Sequence, residues 1–122
     1  ENIDFIINLL PLSNETENIF NSQVFSKMTN AYFINVGRGK TVVEKDLIKA
    51  IEIGNLLGAA LDVFEDEPLE LDNPLFNYKN IILTPHIAGL DSNYWTNQLD
   101  LFSHNLNKYL ASNLSEMKNK IT

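Results

Sequence analysis

Residues 32–63, YFINVGRGKTVVEKDLIKAIEIGNLLGAALDV, decide the fold. The run from Tyr32 to Val36 is apolar without alternation, the pattern of a strand buried on both faces, and Gly58 to Val63 repeats it. Between them, Glu44 to Leu57 has helical spacing. Leu47, Ile48 and Ile51 fall on one face, a Thr41-to-Glu44 capping box precedes them, and Gly58 supplies a stop. Strand, helix and strand in that order make a parallel pair joined by a crossover.

Working outward, Phe5 to Leu10 and Ile81 to Thr84 have the same buried-strand character. A short helix is expected from Ser22 to Met28, capped by Asn21 or Ser22, with Val24, Phe25 and Met28 facing inward. From Ser92 to Ser112 the residues Trp95, Leu99, Phe102, Leu106 and Tyr109 or Leu110 recur at steps of four and three, which predicts a long amphipathic helix. Past Asn113 the chain turns polar and is expected to fray. The order strand, helix, strand, helix, strand, strand, helix predicts an α/β layer fold with right-handed crossovers. The stretch from Glu65 to Asn80, with Pro68, Pro74 and a run of acids, is a connection of the length that often carries function.

The chain has 122 residues and is 44% hydrophobic, enough for one core and too little for two ordinary domains. Sixteen acidic residues against nine basic ones leave a net charge of -7, which repels a phosphate backbone and argues against a nucleic-acid partner. With no cysteine, disulfides, thiolate nucleophiles and Cys-type zinc sites are excluded, and a reducing cytosol is compatible. The apolar stretch Phe5 to Leu12 is broken by Asn8 and Pro11 and falls far short of the roughly 20 residues that cross a bilayer. The expectation is therefore a cytoplasmic protein with no membrane partner and no metal.

In open parallel sheets ligands bind outside the carboxyl ends of the strands, so the first polar residues after each strand are the ones to weigh. Arg38, the chain's one arginine, stands between Gly37 and Gly39. Its planar fork suits a carboxylate, and the glycines would let the backbone approach a ligand; an ordinary surface arginine in a turn fits the spacing equally well. His86 follows a Thr-Pro step, where a rigid loop could present an imidazole as general acid or base; a structural histidine is the competing reading. Asp62 ends an apolar strand and could accept from an amide or hydroxyl at the crevice, or cap a turn. Four acids lie between Asp62 and Glu67, and spacing does not select among them. Glu67 gains meaning only if it meets His86. Gly37 and Gly39 begin a G-x-G, but Val42 stands where the dinucleotide fingerprint needs its third glycine. His104, inside the last helix, is read as structural or solvent-facing.

Five blocks, in order, are similar to the D-isomer-specific 2-hydroxyacid dehydrogenases: Leu9-Leu10-Pro11-Leu12-Ser13 with Glu15-Thr16, Ile34-Asn35-Val36-Gly37-Arg38-Gly39, Gly58-Ala59-Ala60-Leu61-Asp62-Val63-Phe64, Glu67-Pro68-Leu69, and Pro85-His86-Ile87-Ala88-Gly89. The likeness is strongest to the members that reduce glyoxylate and hydroxypyruvate. It implies an oxidoreductase that transfers a hydride between NAD or NADP and a small 2-oxo or 2-hydroxy acid. Arg38 would bind the substrate carboxylate and keto oxygen, His86 would donate the proton, and Glu67 would hold His86 protonated and oriented. Asp62 would contact the nicotinamide amide. Leu10, Pro11, Thr16, Val36, Gly37, Arg38, His86 and Gly89 would border the cofactor.

By the same resemblance, residues 1–122 are the C-terminal portion of a NAD(P)-binding domain, a partial Rossmann-like, doubly wound parallel sheet with a long C-terminal helix. The Gly-rich phosphate loop, the residue that chooses NAD or NADP, and the substrate-binding domain would lie upstream of Glu1, and the fragment alone is expected to be inactive. Its exposed Phe5 to Leu10 edge is expected to associate, with a homodimer as the assembly. Two alternatives stay open at this level: a non-catalytic module of the same family that senses the nicotinamide cofactor and acts as a corepressor, and a structural fragment without present function.

Overall fold

The computed structural model describes residues 3–121 and divides into two compact units, one running through Ala88 and the other starting at Gly89. The first unit holds strand β1 (Phe5–Asn8), helix α1 (Ser22–Phe25), strand β2 (Ala31–Asn35), helix α2 (Glu44–Glu52), strand β3 (Leu56–Leu61) and strand β4 (Ile81–Leu83). The strands form one parallel sheet in the order β1-β2-β3-β4, in the register Ile7, Ile34, Ala60, Ile82 across it. The element order expected from the apolar runs is the order found, with each strand ending one or two residues early.

Because the strands are parallel and neighbours in sequence are neighbours in space, all four carboxyl ends point to one rim. The chain reaches that rim after Asn8, Asn35, Leu61 and Leu83 in turn. α2 buries Leu47, Ala50 and Ile51, the i, i+3, i+4 stripe, while Glu44 and Asp46 sit favourably at the positive end of the helix. Phe25 and Phe33 meet edge to face at 5.4 Å between ring centres, and Phe20 tilts against Phe33 at 4.9 Å. Leu56 and Leu75 complete the centre of this core, both fully buried. Leu75 anchors the long connection between β3 and β4. It sits in a 3-10 turn, Pro74–Asn77, whose preceding Asn73 side chain accepts from the Leu75 amide at 2.9 Å.

Four local expectations are corrected. The α2 helix ends at Glu52, not Leu57, because Gly54 adopts φ 81° and turns the chain out of the helix. Gly58 lies inside β3, where a Cβ would stand 2.4 Å from the Asn80 carbonyl oxygen, so its glycine serves the close passage of the chain entering β4. The Thr41-to-Glu44 capping box does not form. Val43 is the cap residue and makes no side-chain cap bond; instead the Glu44 amide donates to Glu65 Oε1 and the Glu65 amide to Glu44 Oε1, each at 2.8 Å. Burial raises the Glu44 carboxyl above its ordinary value against the opposing bond from the Glu65 amide. The short helix is capped by Asn21 as expected, its side chain accepting from the Gln23 amide, but it stops at Phe25.

The strands are also not buried on both faces. Ala31, Phe33, Leu56, Ala59 and Leu61 face the helices, whereas Phe5 (60% exposed), Ile7 (57%) and Ile82 (67%) stand on an open face.

The second unit is helix α3 (Tyr94–Leu110) followed by a 3-10 turn, Leu114–Glu116. The predicted apolar stripe is present but uncovered: Trp95, Leu99, Phe102, Leu106, Tyr109 and Leu110 are all exposed. Past Asn113, where fraying is expected from the sequence, the chain makes side-chain contacts back to α3. Asn105 exchanges a pair of bonds with Lys118, at 3.0 Å to its carbonyl and 2.8 Å from its amide, and Lys108 pairs with Glu116. His104 reaches the Glu116 carbonyl at 3.1 Å, a structural role. Among the described residues no helix is long and apolar enough to cross a membrane.

Gly54 offers a test of the helix stop. A Cβ at this position would meet nothing within 4 Å, so Gly54→Ala changes backbone strain alone. The expected cost is about 1–2 kcal/mol, the penalty of a left-handed non-glycine residue, read from the urea midpoint. An unchanged midpoint would show that the turn relaxes without cost.

Candidate active site

At the β4 end of the rim, His86 Nδ1 lies 2.7 Å from Glu67 Oε2. Two local features hold this pair. The other Glu67 oxygen accepts from the Phe64 amide at 3.1 Å, which ties the carboxylate to the chain just past β3. His86 itself sits at φ 54°, a left-handed turn that swings its ring off the line of β4. With Nδ1 bound to the carboxylate, Nε2 is the ring nitrogen left for another partner. Burial works to raise the Glu67 carboxyl, but the His86 and Phe64 bonds and the His86 charge outweigh it and hold the group below its ordinary value. Phe64, Pro68, Leu69, Phe76, Leu83 and Pro85 line an apolar cleft of about 480 Å³ with Glu67 and His86 at its wall.

Asp62 is buried at 4% exposure and holds the loop that carries His86. Oδ1 accepts from Thr84 Oγ1 at 2.5 Å and from the Ile87 amide at 2.9 Å, and Oδ2 accepts from the Ala88 amide at 2.9 Å. Burial again pushes upward, and these three bonds with the His86 charge hold the carboxyl below its ordinary range. Three of roughly four acceptor sites on the carboxylate are engaged, which leaves one on Oδ2. The four-acid ambiguity in the sequence is thereby resolved: Asp62 holds the loop, Glu65 caps α2, Asp66 is exposed, and Glu67 meets the histidine.

Arg38 lies on the same rim at the end of β2, exposed, with Nη1 donating to the Gly37 carbonyl at 2.7 Å. Strands about 4.8 Å apart put the β2 and β4 ends roughly 10 Å from one another. The flanking glycines have a different use from the one expected. A Cβ on Gly37 would stand 2.8 Å from the Leu10 carbonyl oxygen, and one on Gly39 would stand 1.7 Å from that of Phe64. At each of them neighbouring backbone takes the place of a side chain, and with Val42 in place of a third glycine the G-x-G is no dinucleotide fingerprint.

The remaining expected residues divide. Leu10 and Val36 are half-buried on the rim and Pro11 is exposed there. Thr16 is turned inward on its own loop, donating to the Pro11 carbonyl at 2.7 Å and accepting from the Ser13 amide at 2.7 Å. Gly89 opens the second unit, with nothing within 4 Å of a Cβ placed on it. Among the described residues no group of acidic or histidine side chains could hold a metal ion.

Three residues escaped the sequence reading: Asn8, Asn35 and Thr41, buried at 1%, 1% and 0% exposure beneath the rim. Their one signal was a polar side chain closing each of two apolar runs, at Asn8 and at Asn35.

The family model of the D-isomer specific 2-hydroxyacid dehydrogenase, NAD binding domain, matches residues 1–88. Glyoxylate/hydroxypyruvate reductase B of Escherichia coli O1:K1 is 47% identical over 87 residues, 70% of this chain and 27% of that protein. The chain thus spans about a quarter of the length of such curated relatives. Among solved structures, a D-isomer specific 2-hydroxyacid dehydrogenase family protein from Klebsiella pneumoniae 342 superposes with a TM-score of 0.87 at 34% identity, covering 98% of this chain and 38% of that one. An NADPH-dependent glyoxylate/hydroxypyruvate reductase from Sinorhizobium meliloti, solved with NADP and sulfate, gives 0.80 at 35% identity over 89% of this chain and 36% of that one. The parallel sheet, the rim that carries an imidazole–carboxylate pair, and a family match over most of the sequence lead to one conclusion: this chain belongs to the D-isomer specific 2-hydroxyacid dehydrogenases, its residues 1–88 matching their NAD-binding domain.

Proposed function

We propose that this chain is the C-terminal portion of the NAD(P)-binding domain of a longer enzyme that reduces a small 2-oxo acid, glyoxylate or hydroxypyruvate. The observation that carries the reading is the His86–Glu67 pair, 2.7 Å apart, at the carboxyl rim of a parallel sheet.

The residues present fit the nicotinamide end of NAD or NADP. Asp62 retains one acceptor site for a carboxamide N–H, and Leu10, Pro11 and the Val36–Gly37 backbone offer an edge for a ring. They include no complete Gly-rich fingerprint for the pyrophosphate, since Val42 stands where the third glycine is needed. When bound, the cofactor supplies the hydride.

Within this chain, Arg38 holds the substrate carboxylate through its fork and lends positive charge to the keto oxygen. His86 Nε2 delivers a proton to that oxygen as negative charge grows on it. Glu67 fixes the ring through Nδ1 and balances the charge of the protonated imidazole, while Asp62 keeps the loop beneath it in place. An apolar cleft lies beside the pair, lined by Phe64, Pro68, Leu69 and Leu83.

The test is the full-length protein with NADH or NADPH and each acid. Consumption of reduced cofactor dependent on glyoxylate or hydroxypyruvate, with the D-hydroxy acid as the product from hydroxypyruvate, is the expected result. Tight cofactor binding without turnover on any 2-oxo acid would overturn the reading.

A further inference from the structure

Asn8, Asn35 and Thr41 make a closed set of hydrogen bonds under the rim. Asn8 Nδ2 donates to Asn35 Oδ1 at 2.9 Å and to Thr41 Oγ1 at 2.7 Å, spending both of its protons. Asn8 Oδ1 accepts from the Leu10 amide at 3.0 Å, and Asn35 Oδ1 also accepts from the Gly37 amide at 3.1 Å. Asn35 Nδ2 at 3.3 Å and Thr41 Oγ1 at 2.6 Å both donate to the Arg38 carbonyl, which takes a further bond from the Thr41 amide at 3.2 Å. Among the described residues no buried side-chain polar atom is left without a partner.

Burying three uncharged polar side chains gains little over apolar ones of the same size, since each bond to protein replaces one to water. What the set does provide is direction: its outward bonds end on the backbone of Leu10, Gly37 and Arg38, the two loops that the reading above assigns to cofactor and substrate. Three donors converge on one carbonyl, that of Arg38, while the Val36–Gly37 peptide is held through the Gly37 amide. The stem from which the guanidinium projects is therefore fixed from both sides.

We propose that Thr41, with Asn35 and Asn8, is a positioning residue that aims Arg38 at the substrate carboxylate by clamping the Arg38 carbonyl. This rests on the reading of Arg38 as the carboxylate-binding residue. Thr41 touches neither ligand; its effect passes through Arg38.

The experiment compares Thr41→Val and Thr41→Ser in the full-length protein. Valine keeps the shape and removes the hydroxyl, leaving an Asn8 proton unpaired; serine keeps the hydroxyl. Thr41→Val is expected to raise the KM for glyoxylate about tenfold, equivalent to about 1.4 kcal/mol, with the KM for NADPH within about twofold of the parent. Thr41→Ser is expected to restore the KM for glyoxylate. If Thr41→Val fails to fold, Thr41→Ala, which leaves room for a water, is expected to shift the same KM by a smaller factor. A lowered melting temperature with both KM values unchanged, or an equal rise in both, overturns the proposal.

Hydrogen exchange at the amide of position 41, which itself donates to the Arg38 carbonyl at 3.2 Å, reads the clamp without activity. It should quicken in Thr41→Val and return to the parent rate in Thr41→Ser; no change in Thr41→Val overturns the proposal even if glyoxylate is not a substrate. Should Arg38→Lys leave the glyoxylate KM unchanged, the assignment of Arg38 itself falls, and the clamp proposal with it.

Discussion

Replacing His86 by alanine in the full-length protein should lower turnover by about 100- to 10,000-fold, the usual contribution of a positioned general acid, while cofactor affinity changes little. The two effects separate because His86 is tied to the chemistry through Nε2 and to the protein through a single side-chain bond, the 2.7 Å contact with Glu67. Removing the ring leaves the loop in place, since Asp62 holds it by the Ile87 and Ala88 amides and the Thr84 hydroxyl, none of which involves the imidazole. Steady-state kinetics with the 2-oxo acid, beside a fluorescence titration of reduced cofactor, provide the check. Near-normal turnover would remove His86 from the proton-transfer role, and a parallel loss of cofactor binding would mean that the loop had moved after all.

Gly39→Ala should be the most damaging single methyl in the chain for stability. Its Cβ would stand 1.7 Å from the Phe64 carbonyl oxygen and 1.9 Å from the carbonyl carbon, so backbone and not a side chain must yield. Overpacking typically costs 1–3 kcal/mol where side chains can shift, and here the expectation is about 3 kcal/mol or more. Phe64 is buried and its amide supplies a bond to Glu67, so the displacement should pass directly to the His86 partner and depress turnover along with stability. Gly37→Ala, facing the Leu10 oxygen at 2.8 Å, should cost less. Denaturant unfolding of the two variants checks the order. A Gly39→Ala protein as stable as the parent would mean that the Arg38 and Phe64 segments are not locked together as their backbones suggest.

The local pattern of the sequence determined a good deal. Runs such as Tyr32 to Val36 and Ile81 to Thr84 declared parallel strands because apolar residues without alternation are the signature of such strands, although one face stays open here, and the strand–helix order then placed Arg38, Asp62 and His86 on one rim. The five blocks carried the family. What periodicity could not supply was any contact between residues distant in the chain. Glu67 was one of four acids until the fold of the connection brought it to a histidine 19 residues away. Asn8 looked like a break in an apolar run and Thr41 like a helix cap, yet they meet each other 33 residues apart beneath the rim. The two glycines around Arg38 suggested space for a ligand, and only the crossing chain at Leu10 and Phe64 shows that neighbouring backbone takes the place of a side chain there. Hydrophobic spacing is a property of one segment and survives in any fold that buries it, whereas a hydrogen-bond partner or a close backbone approach exists only once separate segments are packed, and that was decided by the tertiary structure alone.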